Sequence, residues 1–178
     1  MIKKFAGFIA FCLLFVLGAA GCSLMVGSTN LQKETLAGVC IDQAADIPAL
    51  VRELGPLTVT QTIEKGGRAL TFDNPPKYAY IVTDADNRVT QITVGYPSRT
   101  GNTEFKTGRG IGSQSSFTDV TQVYGNAYSK ETYRDFMGSG DGYSVRYFDW
   151  ERHTLLEFGF VEDGDNGEFL SNIMMKML

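Results

Sequence analysis

Histidine is nearly absent from this 178-residue chain, where His153 stands alone. A serine triad or a histidine-based zinc centre would have to be built on that one imidazole, and neither a Gly-x-Ser-x-Gly elbow nor clustered metal ligands accompany it. His153 follows the Asp149–Arg152 turn and reads as an exposed polar residue opening a strand. Basic residues are also scarce, with 16 Lys and Arg against 20 Asp and Glu for a net charge of −4, which argues against a nucleic-acid partner. No dinucleotide loop is complete: Gly108-Arg109-Gly110-Ile111-Gly112 is followed by Ser113 where the pattern needs glycine, and no βαβ pattern surrounds it. Asp163, Asp165 and Glu168, with Asn166 between, offer oxygens to calcium, but they lack EF-hand spacing and read as a solvated turn. Neither a metal nor a cofactor is implied.

Long apolar runs are missing too. The one uncharged apolar stretch, Phe5 to Leu17, is short of the roughly 20 residues a spanning helix needs. Preceded by Lys3 and Lys4 and followed by the small residues Gly18, Ala19, Ala20 and Gly21, it reads as an export leader. The small residues end at Cys22, an arrangement that resembles the lipobox of bacterial lipoproteins, with Ala19 at the position where that family most often has leucine. The resemblance implies a diacylglyceryl group on the Cys22 sulfur and cleavage just before it. An ordinary secretory signal cut after Ala20 and an uncut anchor are the alternatives, and all three export the chain. Loss of Lys3 and Lys4 leaves 14 basic residues against 20 acidic, a net charge of −6. Membrane attachment would then rest on acyl chains and not on a basic patch.

Of the three cysteines, Cys12 lies in the leader and Cys22 is the acylation candidate, which leaves Cys40 alone as a small buried residue. Without lipidation a Cys22 to Cys40 bridge opens up in an oxidising compartment. The organisation that follows from these readings is a signal peptide over residues 1–21, a flexible tether over 22–35, and patterned units over 36–97 and 98–178.

In the first unit, Asp46 caps a short helix that admits Pro48 in its first turn. Ile47, Leu50, Val51 and Leu54 make its apolar stripe, and Gly55-Pro56 ends it. Strand-like runs follow at Leu57–Glu64, Arg68–Phe72, Lys77–Thr83 and Arg88–Tyr96, separated by short turn-rich segments that favour antiparallel hairpins. In the second unit, Ser116 caps a helix with Asp119 at the N3 position, and Gly125 ends it. Further strands are expected at Ala127–Met137, Gly142–Asp149, His153–Val161 and Phe169–Met177. The fold class expected is α+β: two repeats, each a short helix on a four-stranded antiparallel meander, with one continuous sheet and two separate sheets both open.

The segment Gly110-Ile-Gly-Ser-Gln-Ser-Ser-Phe-Thr-Asp-Val-Thr-Gln-Val-Tyr-Gly125 resembles a motif of the SmpA/OmlA-like (BamE-like) lipoproteins. The doubled order of elements is similar to that of the β-lactamase-inhibitor-like proteins. Both resemblances imply a binding or scaffold module without catalytic residues.

Aromatic residues carry the remaining signal, with 12 Phe and 8 Tyr. On Lys77–Thr83, alternation points Tyr78 and Tyr80 one way and Ala79 and Ile81 the other. In the second unit Arg146 and Phe148 share a strand face, with Trp150 close by. These five are the candidate interface, with Cys22 as the lipid attachment site. The function expected is a non-catalytic, lipid-anchored envelope protein that binds another envelope protein. Its place would be the periplasmic face of the outer membrane in a Gram-negative host, or the outer face of the cell membrane otherwise. The alternatives are an inhibitor or sensor of an exported enzyme, and a ligand-binding protein or hydrolase that gathers acidic groups around His153.

Overall fold

A computed structural model describes residues 27–95, 104–134, 141–162 and 167–178. The leader, Cys22, Tyr96 and most of the Asp163–Glu168 loop therefore lie outside the described residues. Helix α1 (Ile47–Leu54) starts where a good acceptor sits: the Asp46 side chain takes the Ala49 N–H, and Pro48 occupies the first turn. Its inward residues Leu50 and Leu54 are buried. Helix α2 (Phe117–Tyr124) opens on a reciprocal cap. Ser116 Oγ accepts from the Asp119 N–H at 3.2 Å, and Asp119 Oδ2 accepts from the Ser116 N–H at 2.8 Å. The helix stops at Gly125, whose φ of 83° is open to glycine at little cost.

The strands are β1 (Val59–Thr62), β2 (Arg68–Asn74), β3 (Lys77–Thr83), β4 (Val89–Val94), β5 (Tyr128–Tyr133), β6 (Gly142–Asp149), β7 (Thr154–Glu162) and β8 (Glu168–Met177). Their spatial order is β1-β2-β3-β4-β8-β7-β6-β5, antiparallel at every junction. Here the sequence reading needs correction. The chain is not two helix-plus-four-strand repeats but one eight-stranded antiparallel sheet with two helices among the described residues; the class, α+β with a single sheet, stands. The cause is the seam: β4 pairs with β8 from Gln91↔Lys176 to Val94↔Ile173, so neither half ends in a sheet edge there. A single apolar cluster also crosses the seam, joining Leu54, Leu70 and Ile81 to Val120, Tyr147 and Phe158.

The register sets which side each residue faces. One row, Leu70–Ile81–Ile92–Met175–Leu156–Tyr147–Tyr128, crosses seven strands and belongs to the core or packs against it. Both helices pack on this side, as do Leu31, Leu36, Val39, Phe105 and Ile111 from the loops. Beneath α2 the core is aromatic: Tyr143 stacks on Phe160 with centroids 5.0 Å apart, and Tyr124 lies 5.3 Å from Phe158 and 5.4 Å from Tyr147. Much of the aromatic content is thus core packing.

Residues 27–35, the described part of the segment expected to be a tether, lie against the sheet. Ser28 bridges to Phe148, the Thr29 N–H donates to Phe148 O at 2.7 Å, and the Leu31 N–H donates to Asp149 Oδ2 at 2.8 Å. Leu31 and Glu34 are buried.

Candidate functional site

The sheet face away from the helices carries the expected interface residues. The row next to the core row runs Thr71–Tyr80–Thr93–Met174–Glu157–Arg146–Ser129, and all seven are partly exposed. Tyr78 lies two residues from Tyr80 on the same side, whereas Ala79 and Ile81 are fully buried in the core. Phe148 lies two residues beyond Arg146, and Trp150 stacks on it with centroids 4.7 Å apart and ring planes 6° from parallel. The five residues therefore occupy one face, but not one spot. Tyr80 and Arg146 are separated by four strand spacings, about 19 Å. Between β6 and β8 the face is partly closed, since Ser144, Leu155 and Val161 on it are buried.

Chemistry along the face is set by how its polar groups are already used. Tyr78 has its hydroxyl pKa raised by burial first and by the neighbouring Asp73 and Tyr80 second, so it is a neutral donor and acceptor at physiological pH. Arg146 is committed: Nε donates to Glu157 Oε2 at 2.6 Å, and Nη1 pairs with Glu131. Burial works against its charge, but the two carboxylates outweigh that and raise its pKa. Arg146 is thus a strap across β5, β6 and β7.

A second polar cluster, which the sequence reading missed, sits under the N-terminal segment. The Glu34 side chain is wholly buried, and its Oε2 lies 3.0 Å from Arg109 Nε. The Arg109 guanidinium lies 4.8 Å from the Tyr124 ring centroid and donates to Asn30 O. Burial, with Glu34 adding to it, pushes the Tyr124 hydroxyl well above the usual tyrosine range, and Thr107 and Arg109 only partly oppose this. Gly108 is required here, because a Cβ on it would come within 2.8 Å of Thr35 Oγ1 and 3.1 Å of Glu34 Oε1. The loop that briefly resembled a phosphate cradle is the anchor of this cluster. Nothing in local sequence pairs Glu34 with Arg109; the one available signal was an acidic residue in an otherwise uncharged-to-basic stretch.

Other expected residues fall elsewhere. His153 is exposed in the turn before β7, with φ of 50°, and its carbonyl accepts from the Leu178 N–H at 2.7 Å. Strand β7 begins one residue later than expected. Cys40, half-buried and without a disulfide partner among the described residues, lies in the wall of a cavity of about 460 Å³ shared with Glu34, Asp42, Arg152 and Met175. Another cavity, of about 590 Å³, is lined by Pro76, Glu104, Lys106 and residues of the Gly110–Ser115 loop. Among the described residues, no three of His, Cys, Asp and Glu converge as metal ligands, and no helix is long and apolar enough to cross a membrane. Of the acidic loop only Glu168 is described together with its partner, accepting from the Tyr143 hydroxyl.

No protein-family model and no curated protein matches the sequence. Similar solved structures include a cysteine-rich secretory protein from Staphylococcus aureus, with TM-score 0.50 and 7% identity over 84% of this chain and 47% of that one. They also include an extracellular protein containing a SCP domain from Bacillus anthracis, with TM-score 0.43 and 12% identity over 77% of this chain and 44% of that one. The chain spans less than half the length of either. At 7% identity the likeness to the S. aureus protein is one of fold alone. Neither structure is described as SmpA/OmlA-like or β-lactamase-inhibitor-like, so the comparisons lend those resemblances no support.

Proposed function

We propose that this chain is an exported, non-catalytic recognition module, held to the membrane by acylation of Cys22, that binds another envelope protein through the helix-free face of its sheet. The observation that carries the proposal is the convergence of Tyr78, Tyr80, Arg146 and Phe148 on one face while the opposite face takes both helices and the core. Tyrosines with an apolar body and a neutral polar tip suit a partly wet contact. Arg146 contributes by holding its strands, and Tyr78 and Tyr80 make the contact. Export is supported by the leader pattern and by the description of the similar S. aureus structure as a secretory protein.

Photocrosslinking in a native or close host tests the face. A photoreactive amino acid at position 78 or 80 should give a discrete adduct that the same group at Arg52, on the exposed side of α1, does not. Equal adducts from both sides, or none, would refute the reading. Intact mass of the membrane fraction, with Cys22→Ala as control, tests the acyl group.

A further inference from the structure

We infer that the end of the sheet at the β6–β7 turn rests on the phospholipid bilayer, with Trp150 as its interfacial side chain. This inference depends on the lipid-anchored reading above. Three large hydrophobic residues stand exposed together at this end: Trp150 at 48%, Met177 at 40% and Leu178 at 54%. They share this end through the fold, since Thr154 pairs with Met177 and the Leu178 N–H bonds to the carbonyl of His153 in the same turn; Trp150 projects on the helix-free side, where it stacks on Phe148, and Met177 on the core side.

The path of the chain brings this end to the membrane. Ser28 bridges to Phe148, and its hydroxyl accepts from the Trp150 N–H at 3.3 Å, so the N-terminal segment meets the domain beside the indole. Asp149, buried between, fixes both sides of the junction by accepting from the N–H groups of Leu31 and Arg152. Only residues 23–27 separate Cys22 from Ser28, a span of at most about 20 Å even when fully extended. An acyl group on Cys22 therefore keeps Trp150 within a short leash of the headgroups. The flat Phe148–Trp150 stack offers an apolar surface with one N–H at its rim, the chemistry that settles at the level of lipid headgroups. Glu151 and Arg152, both exposed beside it, carry opposite charges, and Lys176, partly exposed in the row of Phe148, adds a cation on this side. Tyr80 stands in the row of Arg146 but four strand spacings across the sheet, and Tyr78 lies two residues farther from this end, so the β3 side of the face is left for a protein partner.

Trp150 is the single tryptophan of the chain, so its fluorescence reports this contact alone. The full chain, purified from host membranes and acylated by intact mass, is reconstituted into phosphatidylethanolamine–phosphatidylglycerol vesicles with and without dibrominated acyl chains. Brominated lipid should quench the emission by about twofold, as expected for an indole at the interface. Met177→Lys with Leu178→Lys should reduce that quenching while leaving acylation intact. An acylated protein whose emission is the same in both vesicles overturns the inference and leaves the lipid anchor standing. If that emission shifts instead on addition of an envelope-protein fraction, the inference is overturned in favour of a protein contact. A chain whose intact mass carries no diacylglyceryl group overturns the anchor itself, and this inference with it.

Discussion

Replacing Arg109 by alanine removes the guanidinium that faces a fully buried carboxylate. Glu34 has 0% side-chain exposure, and its Oε2, 3.0 Å from Arg109 Nε, has no hydrogen bond of good geometry. Stranding one member of a buried ion pair costs about 3–5 kcal/mol. Arg109 itself is 38% exposed, so water already screens the pair and the loss belongs below that range, at about 2 kcal/mol. Loss of the guanidinium from the Tyr124 ring adds about 1 kcal/mol. The sum, about 3 kcal/mol, corresponds to a fall in Tm of about 10 °C for a domain of this size. Residues 27–36 also have a cheaper route: peeling away to let Glu34 reach water, which caps the global cost and appears as faster hydrogen exchange at the Thr29 and Leu31 amides. Urea unfolding of wild type, Arg109→Ala, Glu34→Gln and the double variant separates these terms. With Glu34→Gln in place, removing Arg109 should cost only about 1 kcal/mol, because the stranded charge is gone. Equal decrements in the two backgrounds, or Arg109→Ala within about 0.5 kcal/mol of wild type with unchanged exchange, would show that the pair does not hold the segment.

Burial, with a smaller effect from Tyr128, pushes the Tyr147 hydroxyl up to about 12 from 10.0, so its share of stability is complete below pH 10 and is lost as pH rises from there to about 12. Tyr147→Phe should be the less stable form at neutral pH, having lost the 3.0 Å bond to Gly125 O, and the gap should close on alkaline titration of urea unfolding. Asp119 is held below the usual carboxylate range by the Ser116 N–H first and its hydroxyl second, so the cap contributes above pH 3.8 and is lost as pH falls below it. Asp119→Asn should therefore lower helix content by circular dichroism at pH 7 and erase that acid transition. Gly95→Ala should destabilise the seam by more than about 2 kcal/mol in urea, because the residue has φ of 85° and the added Cβ would sit 2.4 Å from Ser171 O.

What could be read from the sequence was what neighbours in the chain decide. The Asp46 and Ser116 caps, the inward facing of Leu50 and Leu54 and the opposite facing of Tyr80 and Ile81 follow from local periodicity and hydrogen bonding and are present, whereas Val51 of the expected Ile47–Leu54 stripe is exposed. Hairpin order was legible because turns such as Asp84–Asn87 leave consecutive strands little choice but to pair. The β4–β8 seam was not legible as the end of any repeat, since pairing between distant strands leaves no mark in either one. Glu34 was hidden for the same reason: in a Ser-, Thr- and Gly-rich segment its burial depends on Arg109, far along the chain. The aromatic content is a mixed signal, because alternation puts Tyr143 and Tyr147 on one side of β6 but does not show that α2 covers it.

Arg146 shows how a residue on the expected face can serve the fold instead of a partner. If it were a free binding cation, Arg146→Ala would leave stability unchanged and weaken only the complex. The geometry demands the opposite. Glu157, 15% exposed, depends on Arg146 Nε at 2.6 Å, whereas Glu131, 62% exposed, has water as a substitute. Arg146→Ala should therefore cost about 1–2 kcal/mol in urea unfolding, through the stranded Glu157 and the lost stem packing across three strands. Glu131→Gln should cost less than about 0.5 kcal/mol. If Arg146→Ala and Glu131→Gln prove equally mild, the strap is only a surface pair, and Arg146 returns to the list of residues available to a partner.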